Sequence, residues 1–233
     1  MPEATDLRVP VQARAQRTRA ALLAAAEADF GARGYAGATA RSIAERAGVA
    51  TGSFYQYFVD KDAALRAVAE QRLQTLEQAL LSLATPRSAN TPPALSTPKD
   101  AVLGIIDTVV AYHQQDRALH AVLTERRHAD PALDALTHGS EQRFVADIER
   151  TLRALGQHGE LTARAFMLFG LIEGTVHAHV LGTPLLSDAE FRDALCDAVL
   201  AIAALRDATV SRRAAAEKPT AEKLPTKRAP RTR

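Results

Sequence analysis

Cysteine is almost missing from this chain: Cys196 stands alone among 233 residues, so no internal disulfide can form and a reducing cytosol suits it. Glycine and β-branched residues are sparse while alanine and leucine dominate, which makes helix the expected structure throughout. Long apolar runs are missing too. The longest, residues 165–172, falls far short of the ~20 residues that a membrane span needs. No charged start followed by an apolar stretch suggests a signal peptide. A soluble, cytoplasmic protein without membrane contact is therefore expected. There is no nucleophile motif, no glycine-rich phosphate loop and no metal-ligand pattern of adequate spacing. These absences argue against an enzyme, and against a metal or other cofactor.

What is present is unevenly charged. Residues 1–75 carry ten basic and eight acidic side chains, residues 76–210 carry eleven and seventeen, and residues 211–233 carry eight and two. A basic front and an acidic middle suggest that the amino-terminal end meets an anionic polymer. The excess of two charges is too small to decide the matter.

Local signals divide the chain. Residues 1–13, with Pro2 and Pro10, read as a loose arm. A long helix is expected over about residues 11–33, with Leu22, Ala26 and Phe30 on one face and Gly31 and Gly34 as stop signals. Thr39 is a good N-cap for a second helix and Gly48 a good residue to end it. A third, short helix is expected over residues 51–57. Asp60 caps a fourth, striped by Leu65, Val68, Leu73 and Leu76 as far as about Ala84. Residues 85–98 hold four prolines and read as a linker. Thr97, Pro98 and Asp100 start a helix that runs to about Gln115, and Asp130 with Pro131 starts another. Residues 161–181 are apolar nearly all round. Ser187 and Glu190 form a capping box for the last helix, striped by Leu195, Val199, Ile202 and Leu205. The proline- and lysine-rich tail from Ser211 reads as disordered, either adding nonspecific affinity for such a polymer or merely solubilising.

Residues 39–58 carry the most information. Two short helices about a glycine turn make a helix-turn-helix, whose second helix lies in the DNA major groove. Ile43, Ala44, Ala47, Val49, Phe54 and Phe58 supply the packed corner, and Gly48 takes the left-handed backbone of the turn. Thr51, Gly52, Ser53, Tyr55, Gln56 and Tyr57 are left to point outward. Nearly all can donate a hydrogen bond or lay an apolar face on a thymine methyl. Thr39 and Arg41, at the start of the supporting helix, suit a phosphate, and Lys61 could reach another.

These residues resemble the DNA-binding domain of the TetR family of transcriptional regulators. The resemblance rests on Ala25 and Ala26 before Phe30, Gly34-Tyr35, Thr39, Ile43-Ala44, Ala47-Gly48-Val49, Gly52-Ser53-Phe54-Tyr55, Tyr57-Phe58, Lys61 and Leu65. Ala50 and Asp60 stand where the family often has serine, and Ala40 where threonine is common. Ala50 weakens the N-cap of the recognition helix, a role that Thr51 could take over. The resemblance implies DNA contacts at Thr39, Arg41, Thr51, Gly52, Ser53, Tyr55, Tyr57 and Lys61. It also implies a homodimer on a palindromic double-stranded operator, a ligand pocket in the carboxy-terminal helices, and repression relieved by ligand. The fold expected is all-α: a helix-turn-helix domain over residues 14–75, then an antiparallel helical domain for ligand binding and dimerisation over residues 76–210.

In that second domain Gly170, Gly174 and Ala178 make a smooth strip along one helix. Together with His177, Leu195, Val199 and Ile202 they are the candidate dimer interface, a four-helix bundle across a twofold axis. Tyr112, His113, His120, Phe144, Phe166, Met167 and Phe169 are candidates for a pocket that takes an apolar small-molecule effector. Glu173 and His177, four apart, suggest an ion pair more than a metal ligand set. Two competing readings remain: a DNA-binding regulator without small-molecule control, and a metal-binding protein using the carboxy-terminal histidines.

Overall fold

The computed structural model describes residues 11–84 and 97–216, and among them it contains nine α-helices and no strand. The remainder of the amino-terminal arm, most of the expected linker and the tail beyond Ala216 lie outside the described residues, as does the side chain of Leu205.

Helix α1 (Val11–Gly37) begins inside the expected arm and is broken at Gly34, whose φ of 67° only glycine adopts without strain. Gly34 is thus the stop, whereas Gly31 stays helical. Leu22, Ala26 and Phe30 form its fully buried face. Thr39 caps α2 (Ala40–Arg46) in a reciprocal box with Ser42, and Gly48, at φ 70°, turns the chain into α3 (Thr51–Phe54). Helix α3 is shorter than expected. Residues 55–57 form a tight turn instead, in which Tyr57 N–H reaches Phe54 C=O at 3.0 Å. Ala50 occupies the N-cap without a side-chain bond, so Thr51 does not take that role over. Asp60 caps α4 (Lys61–Ala84) by accepting from Ala63 N–H at 2.7 Å.

Thr97 and Asp100 start α5 (Pro98–Gln115) with the expected box. Next comes a helix that sequence reasoning missed, α6 (Arg117–Arg127), capped by Asp116 through Leu119 N–H at 2.8 Å. Asp130 starts α7 (Pro131–Ala154), and α8 (Leu161–Leu181) spans the range expected for it. Helix α9 (Asp188–Ala216) runs six residues past the expected boundary at residue 210.

Two apolar cores hold these elements. One joins α5, α8 and α9 through Ile106, Val176, Leu195 and Cys196. The other fills the amino-terminal unit around Phe30, Ile43, Phe54 and Leu65, but it also takes in Leu119 and Val122 of α6 and Leu133 of α7. The expected boundary at residue 75 falls inside the continuous helix α4, and α6 packs along α1. The amino-terminal unit is therefore sealed by side chains from beyond that boundary.

Candidate nucleic-acid interface and cavity

The helix-turn-helix corner is pinned by packing on one side and by a buried acid on the other. Phe54 and Phe58, their rings 5.4 Å apart, anchor α3 to Ile43 and Ala44. Asp29, on α1, is fully buried and was not foreseen as part of the site. Its carboxylate accepts from the Ser42 hydroxyl at 2.6 Å and from Arg46 Nε at 3.2 Å, and pairs with Arg33 Nε at 3.1 Å. One side chain thus ties both ends of α2 to α1. An acid next to Phe30, on the buried face of a helix, was the available signal.

Gly52, Tyr55 and Gln56 are exposed on the recognition helix and the turn after it, Tyr55 at 59%. Thr51 and Ser53 are half-buried. Tyr57, expected to point outward, packs partly on the amino-terminal core instead. Thr39 and Arg41 are exposed at the start of α2, where Arg41 Nε pairs with Glu45 at 2.8 Å. Such an exposed pair is easily exchanged for a phosphate. Lys61 is engaged rather than free: its ammonium donates to Tyr35 C=O at 2.9 Å and Ala38 C=O at 3.3 Å, tying down the α1–α2 connection.

Tyr35 sits where the two parts of the molecule meet. Lys61 Nζ lies 4.1 Å and the Arg126 guanidinium 3.9 Å from its ring centroid, and its hydroxyl donates to Asp62 at 2.5 Å. Burial and then the Asp62 carboxylate push the Tyr35 phenol up to about 12. Arg126 also reaches Asp62 at 3.3 Å, and Arg66 reaches the α7 cap Asp130 at 2.7 Å. Alongside, Asp116 fills the space left by the missing side chain of Gly31.

A cavity of about 180 Å³ lies between α4, α5, α6, α7 and α8. Of the expected pocket residues, Tyr112, His120, Phe144 and Phe169 line it. His113 is fully buried beside it, whereas Phe166 and Met167 are 62% and 60% exposed and lie outside it. Met167 stands across α8 from Phe169, and Phe166, although on the side of Glu173 and His177, is two and three turns away from them along the axis. Leu73 and Leu76 of α4, Leu123 and Arg127 of α6, Glu141 of α7, and Glu173 and His177 of α8 complete the wall.

Histidines crowd one end of the cavity. The His113 and His120 rings lie 4.6 Å apart, and His120 and His177 5.2 Å apart. His113 Nδ1 donates to Val109 C=O at 2.8 Å, and its Nε2 stands 3.3 Å from a Glu173 carboxylate oxygen. Among the described residues, no three His, Cys, Asp or Glu side chains are arranged to hold a metal ion.

The candidate dimer residues separate into two groups. Gly170, Gly174 and Ala178 are exposed, in line with Phe166 and Met167, as one apolar stripe along α8. Leu195 and Val199 are buried in this chain's own second core, with Ile202 packed against it, and His177 lines the cavity. The three on α9 face inward because its apolar stripe is taken up by α5 and α8. No described helix is long and apolar enough to cross a membrane.

Comparison with known proteins agrees with this geometry. Residues 22–68 match the model of the bacterial regulatory proteins of the tetR family, and residues 97–202 match that of the tetracyclin repressor-like carboxy-terminal domain. No curated protein has a matching sequence. Among solved structures, the chain is similar to a protein from Mesorhizobium loti assigned to the TetR-family transcriptional regulators. That pair is 21% identical with a TM-score of 0.65, over 82% of this chain and 98% of the other. A protein from Pseudomonas aeruginosa assigned as a transcriptional regulator is 17% identical with a TM-score of 0.66, over 90% and 99%. SmeT, the repressor of the Stenotrophomonas maltophilia multidrug efflux pump SmeDEF, is 24% identical with a TM-score of 0.59, over 80% and 90%. At these identities the structures show a shared fold.

Proposed function

The chain belongs to the TetR family of bacterial regulatory proteins, and from that premise we propose that it is a ligand-responsive repressor that binds a palindromic operator as a homodimer. The observation that carries DNA binding is the exposed, uncharged surface of α3 and the turn behind it, held on a corner that Phe54, Phe58 and the contacts of Asp29 pin in place. Tyr55 and Gln56 supply donors and an apolar face for base edges, while Thr51, Ser53 and Tyr57 flank them, half-buried. Thr39, Arg41 and Gly52 are open to phosphates, and Lys61 keeps one N–H beyond its two carbonyl bonds.

The exposed stripe of Phe166, Met167, Gly170, Gly174 and Ala178 supports the dimer. Two large apolar side chains left in water beside a smooth strip favour covering by a second copy. Two recognition helices would then need a separation of about one DNA turn, ~34 Å, to enter successive major grooves.

Helix α6 supports control by ligand. It lines the cavity with His120, Leu123 and Arg127, and on its other flank it sets Leu119, Val122 and Arg126 against α1 and Tyr35. A ligand that displaces α6 therefore moves the unit carrying α3, and strong release requires that it favour one arrangement by several kcal/mol. SmeT's role as a repressor is in keeping with this reading. Selection of bound sequences from random duplexes tests it: one enriched palindrome is expected, and Tyr55→Ala should weaken that operator about tenfold more than random DNA. Enrichment of no sequence would overturn the reading.

A further inference from the structure

Of the charged groups that line the cavity, the one with fewest partners is negative. Glu173 has one carboxylate oxygen beside His113 and, among the described residues, no other protein partner. The cavity's guanidinium is taken twice over: Arg127 donates to Glu141 at 2.6 and 3.3 Å and to Asp134 at 2.7 Å. Phe144 and Phe169 lie nearly parallel, 6.3 Å apart, as a stacked wall on the same side. His120 is nine-tenths buried and its Nδ1 has no partner. Burial, then His113 and His177, hold His120 down at about 4, so it is neutral near pH 7 and adds no positive charge.

We propose that the effector is a small organic cation, a protonated or quaternary amine on a body of about one ring, with its charge on Glu173 and its apolar part against Phe144 and Phe169. This deepens the ligand-control reading above and rests on it. The size follows from the volume, since ~150 Å³ of apolar cavity accommodates benzene and this one measures about 180 Å³. A purely apolar ligand, the expectation from sequence, would strip water from Glu173 and return nothing. An anion would meet two carboxylates and an already neutralised guanidinium. A cation gains the carboxylate and the faces of the aromatic wall together.

The site also couples binding to a proton. Burial opposes a charge on His113, but Glu173 and the Val109 carbonyl outweigh it and raise its pKa. Burial likewise works against Glu173, but His113, then His120 and His177, hold its carboxyl below the usual range. The other groups facing the pair are Tyr112 on α5 and Arg72 on α4, the latter bound to Glu27 on α1 at 2.9 Å. A cation at Glu173 competes with the His113 imidazolium and expels its proton. Affinity for a permanently charged ligand therefore rises with pH through the His113 titration and levels off above it.

Calorimetric titration of the full chain without DNA tests this with benzyltrimethylammonium, benzyl alcohol and phenylacetate. The quaternary cation should bind at least tenfold more tightly than either other probe, with proton release. Glu173→Gln should weaken it at least tenfold, and Phe144→Leu should weaken it more than it weakens benzyl alcohol. Preference for phenylacetate, binding of no probe, or an affinity that falls with rising pH in the unaltered chain would each overturn the proposal. The pH series needs no variant, so a misfolded Glu173→Gln does not shelter it. A selected operator without cation binding would overturn this inference alone, whereas cation binding without any operator would overturn the DNA-binding reading.

Discussion

Removing the carboxylate of Asp29 should loosen the helix that supports the recognition helix. The side chain is fully buried, and its hydrogen bonds reach Ser42 at 2.6 Å and Arg46 at 3.2 Å, with Arg33 at 3.1 Å. Arg33 and Arg46 are 56% and 41% exposed, so in Asp29→Ala both can turn to water and neither is left as a stranded charge. The loss then comes mainly from the Ser42 bond, worth roughly 1.5–3 kcal/mol because the acceptor is charged, with a small cavity beside it. We expect about 3 kcal/mol in all, which for a chain of this size lowers the melting temperature by roughly 6–12 °C. Ser42→Ala removes the same bond together with half of the α2 capping box, at a cost of about 2 kcal/mol. Because the two changes share one interaction, the double variant should fall short of their sum by at least about 1 kcal/mol. Thermal and urea unfolding of the four proteins measure this cycle, and operator affinity should weaken in the same order. Additivity to within about 0.3 kcal/mol would refute the view that Asp29 holds α2 through Ser42.

Three further outcomes follow from geometry. Gly31→Ala ordinarily gains about 1 kcal/mol inside a helix, but here the new Cβ would stand 2.6 Å from an Asp116 oxygen. The gain should vanish in the native chain and return in an Asp116→Ala background, read by denaturant midpoints; a full gain in the native chain would contradict the packing. Tyr35 should ionise well above the usual tyrosine range. Its phenol is raised in the folded state to about 12 from 10.0, so the stability it contributes is present below pH 10 and is lost as pH climbs towards 12. Absorbance titration and melting above pH 9 check this, and Tyr35→Phe should abolish the effect. Finally, Met167→Glu places a charge in the exposed stripe of α8. Sedimentation should show a monomer where the unaltered chain gives a dimer, with the melting of the monomer fold little changed.

The helix-turn-helix was legible because its signals are local. Thr39, Gly48, Phe54 and Phe58 act within a few residues of one another, and their spacing alone sets cap, turn and anchor. Helix α6 was not legible. Asp116, its cap, follows two glutamines with no glycine or proline to mark a break, and its place is fixed by the hollow at Gly31, 85 positions earlier in the chain. The cavity drew on five helices, so periodicity found Tyr112, His120, Phe144 and Phe169 as apolar or aromatic positions without revealing which wall they share. It also could not separate Phe166 and Met167, which are exposed, from Phe169, which lines the cavity. Leu195 and Val199 illustrate the remaining ambiguity. A stripe on a last helix reads the same whether its own chain or a second copy covers it.

Arg126 and Leu119 carry a lesson for anyone exchanging parts between regulators. A graft of residues 14–75 alone would transplant the helix-turn-helix unit without the plugs at Leu119, Val122 and Leu133 that close its underside, and without the cation that caps Tyr35 from below. The head is borrowed from the body at that seam. Any working hybrid must carry α6 along, and with it one wall of the cavity.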